Sequence, residues 1–387
     1  MRVLTFTSLY PNEIAPRHGI FVKNRMDYVD RIPGVLRKVI APVQYFPLLG
    51  RTKNSRFHAY NKIAKREMQG DVAVYHPRYL TLPGTNLINV AAAMARAAES
   101  VLPAAYPDDE SFDLVDGHYL YPDGVAAHIL ARRHHKPLFL TARGSDVNFW
   151  MTRTGPRKKI LAAIDYAQKV ICVSRALKDR LIEYGVAEDK LVVLMNGVDR
   201  DLFNAGVKAN RERRYLLSVG NLVPLKGHDL ILRALAHFPD ERLIIIGGGE
   251  QEAALKSLAR QLGLAGRTEF FSHVTHGALP PFYAGAKATI LMSAMEGMPN
   301  VLLESLACGA PAIAPRVGGI PEVVTEENGI LLNARSPESL TGGLKQALHT
   351  AWDRRQVAAS VAHLDWTETA RELHRCFAES LQGRFST

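Results

Sequence analysis

Ten short apolar runs constrain this chain more than any other feature. VLTFTSLY, KVIAPV, FDLVDGHY, PLFLTA and KVICVS lie in the first half, and YLLSVG, RLIIIGGG, EFFSHV, ATILMS and APAIAP in the second. Near-continuous apolarity over so few residues fits strands buried on both faces of a parallel sheet. Helical patterns separate the runs, so each half reads as a doubly wound α/β domain. At 387 residues the chain exceeds what one core supports, which agrees with two domains. Between the halves, MNGVDRDLFNAGVKANRERRY has turn residues and a charge cluster but no sustained period. The boundary is therefore expected at 204/205, with a first domain over 1–204 and a second over 205–365. TETARELHRCFAESL has amphipathic helical spacing and predicts a helix over about 366–387 that crosses back to the first domain.

Ligands of open parallel sheets bind beyond the carboxyl ends of the strands, so two such sheets facing each other across a cleft would place functional residues just after strands. EGMPNVLLESLACGAP follows the ATILM run at such a place. With a helix starting at Val301, Gly297, Met298, Pro299 and Asn300 form a turn whose N–H groups make an anion site, and Glu304 lies one turn in. An anion at the turn and a hydroxyl-binding carboxylate one turn deeper describe a sugar phosphate; flanking helix charges are the plainer explanation of Glu296 and Glu304. YLLSVGNLVPLKG offers Gly220, Asn221 and the point charge of Lys226 after another strand. LIIIGGGEQEAAL lacks the third glycine of a dinucleotide fingerprint, having Glu252 there, and a tight strand-to-helix turn explains it. In the first half Gly19 follows the first strand and allows close backbone approach. His118 follows a buried strand, and Arg143, Gly144 and Asp146 follow the next.

Composition narrows the class. No apolar run approaches the roughly 20 residues that span a bilayer, and MRVLTFTSLYPNE reads as a first strand rather than a leader. Three widely spaced cysteines, Cys172, Cys308 and Cys376, form no metal or disulfide pattern. Buried free thiols in the cytosol are expected. The net charge of +10 is uneven: residues 1–204 hold 29 Lys+Arg against 20 Asp+Glu, and 205–387 hold 19 against 18. The basic half calls for an anionic partner. RTKNSRFHAYNKIAKREMQG concentrates Arg51, Lys53, Arg56, Lys62, Lys65 and Arg66, with Phe57, Tyr60 and Ile63 at helical spacing. This is the pattern of an interfacial helix on an anionic membrane, or of a solvated helix docked by three apolar residues.

The ordered set YPNEIAPRHGIFV, GHYLYPDG, TARGSDVN, CVSRALKDRL, NGVD, VGNLVPLKG, GGGE and EGMPNVLLESLACGAPAIAPRVGGIPEVV resembles the family 4 glycosyltransferases of GT-B fold across nearly the whole chain. The opening and HYLYPDG are similar to bacterial members that build exopolysaccharide or teichuronic-acid-type polymers. The resemblance implies a retaining, metal-independent transfer from a nucleoside-diphosphate sugar, with UDP favoured over GDP and no cofactor, to a glycan or lipid-linked acceptor hydroxyl in cell-surface polysaccharide synthesis. It places the protein in the cytoplasm, peripheral on the inner face of the membrane. By position it implies Glu304 on the donor ribose, Glu296 on the transferred sugar, and the backbone of Gly297 to Val301 on sugar and phosphate. Gly19 closes over them, Lys226 neutralises the diphosphate, Val274 meets the base through its main chain and His118 lines the reacting centre. Asn221 stands where the family often has arginine, so Lys226 lacks a second cation unless Arg143 supplies it.

Other classes are weaker. A glycoside hydrolase needs facing carboxylates, an epimerase needs first-domain carboxylates that have no candidate, and a non-enzymatic sugar-binding protein or nucleic-acid binder rests on architecture or charge alone. Asp199-Arg200-Asp201 spells D-x-D, yet after NGV it reads as a capping turn rather than a metal site.

Overall fold

A computed structural model describes residues 1–46, 56–81, 89–107, 111–209, 211 and 214–382. They divide into two compact units, Met1–Met195 with Thr367–Thr387, and Asn196–Trp366. The division thus falls nine residues before 204/205, because residues 196–204 carry contacts of the second unit, such as the Val198 N–H to the Leu364 carbonyl.

In the first unit the strands are β1 (Arg2–Phe6), β2 (Leu36–Ile40), β3 (Val43–Tyr45), β4 (Arg66–Gln69), β5 (Val72–Tyr75), β6 (Arg78–Leu80), β7 (Leu114–His118), β8 (Leu138–Ala142), β9 (Lys169–Cys172) and β10 (Leu191–Val193). Eight form one sheet in the order β10-β9-β8-β7-β1-β2-β5-β4, parallel except for β4 against β5. The order reverses between β1 and β7. β7 and β8 are buried at every residue, the double burial that their uninterrupted apolarity requires. Helix Ile20–Asp30 covers one face through Val22, Met26 and Val29. Helix Trp366–Gln382 adds Ala370, Leu373 and Phe377 to the same core, with the Phe377 ring 4.7 Å from Phe139.

The second unit has β11 (Tyr215–Val219), β12 (Leu243–Ile246), β13 (Thr268–Phe271), β14 (Ala286–Ile290), β15 (Ala312–Pro315) and β16 (Gly329–Leu332), all parallel, in the order β13-β12-β11-β14-β15-β16. The reversal here lies between β11 and β14, the place where such sheets open a ligand crevice.

Within residues 51–70 the described part begins at residue 56, and there the basic run divides between a short helix and a strand. Arg51 and Lys53 lie outside the described residues, and the helix that contains Lys62 runs only from Arg56 to Lys62. Ile63 is buried, so it belongs to the core rather than to an interfacial stripe, while Tyr60 is exposed. Lys65 precedes β4 and Arg66 begins it, paired opposite Tyr75 of β5. Sheet pairing overrode a local charge-and-period pattern. No helix among the described residues is long and apolar enough to cross a membrane. Cys172 and Cys308 are free and buried, and burial pushes both thiols up to about 12; Cys376 is free and partly buried.

Candidate active site

Residues 291–299 carry the chain from β14 to helix Asn300–Ala307, which starts one residue before Val301 with Pro299 as its N-cap. Gly297, Met298 and Pro299 are buried. Among the described residues, no hydrogen bond occupies the N–H groups of Gly297, Met298 and Val301. They are donors at the positive end of a helix, suited to an anion. The turn is buttressed from behind: the Gly319 N–H bonds the Gly297 carbonyl at 3.1 Å, and a Cβ on Gly318, at φ +51°, would stand 1.9 Å from the Glu296 carbonyl oxygen. The Asn300 side-chain oxygen accepts from Asn196 Nδ2 at 2.8 Å.

On the other side of the switch point, β11 leads through Gly220 and the exposed Asn221 to a short turn, Pro224–Lys226. Lys226 Nζ donates to Glu296 Oε1 at 2.6 Å, with the two side chains 22% and 11% exposed. The structure therefore brings together two residues seventy apart in sequence. Gly227 (φ +66°) makes this possible, since a Cβ there would meet the Met292 carbonyl at 2.4 Å. Arg335, which the sequence did not single out, ties the turn to the end of β14 by donating to the carbonyls of Met292 (2.7 Å) and Pro224 (3.1 Å). The Gly247-Gly248-Gly249 run packs backbone to backbone on Gly220 to Leu222, with the Leu222 N–H bonding the Gly248 carbonyl at 2.9 Å.

Glu304 sits one turn into its helix. Its two carboxylate oxygens accept from His276 Nε2 at 2.8 Å and from the Tyr283 hydroxyl at 2.9 Å. Val274 lies buried in the same loop as His276, after β13. His276 and Tyr283 also escaped the sequence reading, for they follow β13 with no motif spacing to mark them. Asp199 Oδ1 accepts from the N–H groups of Asp201 and Leu202, which is a cap. Among the described residues no group of three His, Cys, Asp or Glu is arranged to hold a metal ion.

In the first unit, the close approach that Gly19 permits is to the chain itself: at φ +67°, a Cβ would lie 2.0 Å from the Leu9 carbonyl oxygen. His118 closes β7 and is fully buried. Arg143 has only donors, so its Nη2, 2.8 Å from His118 Nδ1, donates to that nitrogen. The ring proton is then on Nε2, which donates to Asp116 Oδ2 at 2.8 Å. Both ring nitrogens are thus occupied, and Arg143 is the least buried of the three residues. Burial and then the neighbouring Arg25 pull the Arg143 guanidinium well below arginine's usual range, against Asp116 and Asp146. Asp146 is a backbone anchor, accepting from the N–H groups of Leu120, Arg143, Gly144 and Val147.

These buried groups set a pH dependence. Burial pulls His118 down to about 4 despite Asp116, and pulls the buried His228 down to about 4 as well. Both stay neutral in the folded protein but protonate from near pH 6.5 once unfolded, so their share of stability is complete above 6.5 and is lost as pH falls toward 4. Asp123, raised to about 6 by burial, acts oppositely and gives back stability between 6 and 4. Burial lowers His18 and His128 as well and raises Asp146, so four histidines stand against two carboxylates, and calorimetry is expected to show the melting temperature falling as pH is lowered through that window. Replacing His118 and His228 with glutamine should flatten the fall; an unchanged slope would assign it elsewhere.

Comparison with known proteins decides what this constellation belongs to. Residues 44–202 match the family description Glycosyltransferase Family 4, and residues 199–362 match Glycosyl transferases group 1. A D-inositol 3-phosphate glycosyltransferase of Frankia alni is 30% identical over 305 residues, which cover 70% of this chain and 75% of that protein. The chain belongs to the family 4 glycosyltransferases. A Bacillus subtilis protein provisionally assigned as the teichuronic acid biosynthesis glycosyltransferase TuaC is 25% identical over 97% of both chains. The GT-B fold is shared with sucrose-phosphate synthase from Thermosynechococcus elongatus (TM-score 0.79, 17% identity, 99% of each chain). It is shared also with Anabaena HepE in complex with UDP-glucose (TM-score 0.71, 19% identity, 98% of this chain and 99% of that one). As a family 4 glycosyltransferase, the protein transfers a sugar from a nucleotide sugar.

Proposed function

We propose that this family 4 glycosyltransferase takes a UDP-sugar, transfers the sugar with retention and without a metal ion, and delivers it to a glycan or lipid-linked acceptor in cell-surface polysaccharide synthesis. The observation that carries the reading is the meeting of Lys226 and Glu296 at the β11/β14 switch point, beside the open N–H groups of Gly297, Met298 and Val301. Lys226 is the cation for the departing diphosphate. Glu296 holds it in place and meets the transferred sugar once the diphosphate draws Lys226 away. Glu304 binds the ribose, Gly220, Asn221 and Val274 line the nucleotide, and Gly19, His118 and Arg143 are the first unit's own candidates for a role in the reaction. Likeness to TuaC supports the polymer-building role, and likeness to HepE supports UDP.

Titration calorimetry with UDP, GDP and ADP tests the donor. Glu304→Ala should weaken binding of the selected nucleotide about ten- to a hundredfold, since a hydrogen bond to a charged group contributes roughly 1.5–3 kcal/mol. His118→Ala should leave that affinity nearly intact while lowering kcat. A folded Glu304→Ala protein with unchanged affinity removes Glu304 from the site.

The short helix and β4 still offer Lys62, Lys65 and Arg66 as an exposed basic surface. We expect it to bind anionic vesicles at low salt, with each residue worth about 1 kcal/mol. Co-sedimentation with phosphatidylglycerol liposomes that survives replacement of all three by glutamine would rule this surface out.

A further inference from the structure

Glu304 is held by side chains from two other segments of the protein itself. His276 begins a turn after β13, Tyr283 lies in helix Pro280–Gly285, and each donates to a different carboxylate oxygen. Behind them stands Phe203, buried, its ring 5.0 Å from that of His276 and 6.1 Å from that of Tyr283. The turn capped by Asp199 delivers Phe203, whose N–H bonds the Asp199 carbonyl at 2.8 Å.

A carboxylate accepts at about four lone-pair sites. With one site on each oxygen taken, one on each oxygen is left, and the two hydrogen bonds hold the carboxylate in place. A glutamate otherwise loses considerable rotamer freedom on binding, and fixing it beforehand removes that cost from association. Two oxygens of one fixed carboxylate, each with an acceptor site left, match two hydroxyls on neighbouring carbons.

We propose that His276 and Tyr283 are positioning residues that lock Glu304 into a two-point acceptor for the vicinal diol of a ribose, and that this lock is what makes the enzyme select ribonucleotide over deoxyribonucleotide donors. The proposal rests on the ribose role given to Glu304 above. A site built around a hydroxyl rejects the analogue lacking it, because its own polar groups are then left unpaired. A loosely held carboxylate re-pairs with water and rejects much less.

The test is calorimetry on the full chain with UDP, GDP and ADP beside their 2′-deoxy counterparts. The wild type is expected to prefer the ribonucleotide at least tenfold. Tyr283→Phe and His276→Ala should weaken ribonucleotide binding about tenfold with little change for the deoxy form, collapsing the ratio, and should raise KM for the donor more than they lower kcat. His276→Gln, which keeps an N–H donor, should restore discrimination. Equal weakening of both nucleotides, together with a lowered melting temperature, would show a structural role only and overturn the proposal. The two failures are separable. If Glu304→Ala weakens ribonucleotide binding while the Tyr283 and His276 variants discriminate normally, the lock is wrong and the ribose role stands; if Glu304→Ala changes nothing, the ribose role falls and the lock with it.

Discussion

Replacing Lys226 with alanine is expected to lower kcat by about 10²–10³, the cost of losing one preorganised group that stabilises developing charge. The expectation follows from its place. Its ammonium lies at the switch point, 2.6 Å from Glu296, and Asn221, the neighbouring candidate, carries no charge. Arg335 does not stand in for it, because its Nε and Nη2 donate to the carbonyls of Met292 and Pro224. Arginine at position 226 should recover part of the rate, glutamine little. Wild-type turnover at saturating donor in the alanine variant would refute the role. Turnover should also survive EDTA; activity abolished by chelation and restored by magnesium would transfer the charge-neutralising role to a cation.

Gly247→Ala is expected to destabilise the second unit by roughly 3 kcal/mol or more, through a backbone conformation reserved for glycine and a collision with a neighbouring chain. Gly247 has φ +150°, and its added Cβ would lie 1.9 Å from the Gly220 carbonyl oxygen. For a unit of this size, that loss lowers the melting temperature by about 6–12 °C. The same crowding would push Gly220 and the turn that carries Lys226, so activity should fall with stability. A calorimetric transition within a degree of wild type would mean that the two turns separate readily.

The glycine run also shows how far local sequence reaches. Read alone, GGGE could be a phosphate loop missing a glycine or a tight turn. Its tight turn was legible because glycine density after an apolar strand reports crowding, but the crowding partner was not, since Gly220 belongs to another strand end. The same holds at the acidic turn. Glu296, Glu304 and Lys226 were picked out by their position after strands and by family resemblance, whereas the partners that hold them come from distant segments. His276, Tyr283, Phe203 and Arg335 have no spacing relation to the residues they contact, and only the folding of β13, β14 and the loop before helix Pro337–His349 brings them in. His118 shows the same dependence: its place at the end of a buried strand was legible, but its ring partners were not, since Asp116 comes from β7 itself and Arg143 follows β8.

Residues 56–70 show the converse, a local pattern that the fold divides between a short helix and a strand. Its charge and helical spacing continue through Ile63 and Arg66, but burial of Ile63 and the pairing of β4 with β5 gain more than an exposed amphipathic helix could. By itself, the sequence determined which runs would be buried strands and which turns would follow them, because burial on both faces of a sheet demands continuous apolarity and a strand end demands small or polar residues. It marked Glu296, Glu304 and Lys226 as candidates by their position after strands, with family resemblance beside it. Tertiary structure alone decided the order β13-β12-β11-β14-β15-β16, and with it the pairing of Lys226 with Glu296 and of Glu304 with His276 and Tyr283. Such contacts depend on which strands become neighbours, and that choice is made by packing over the whole sheet.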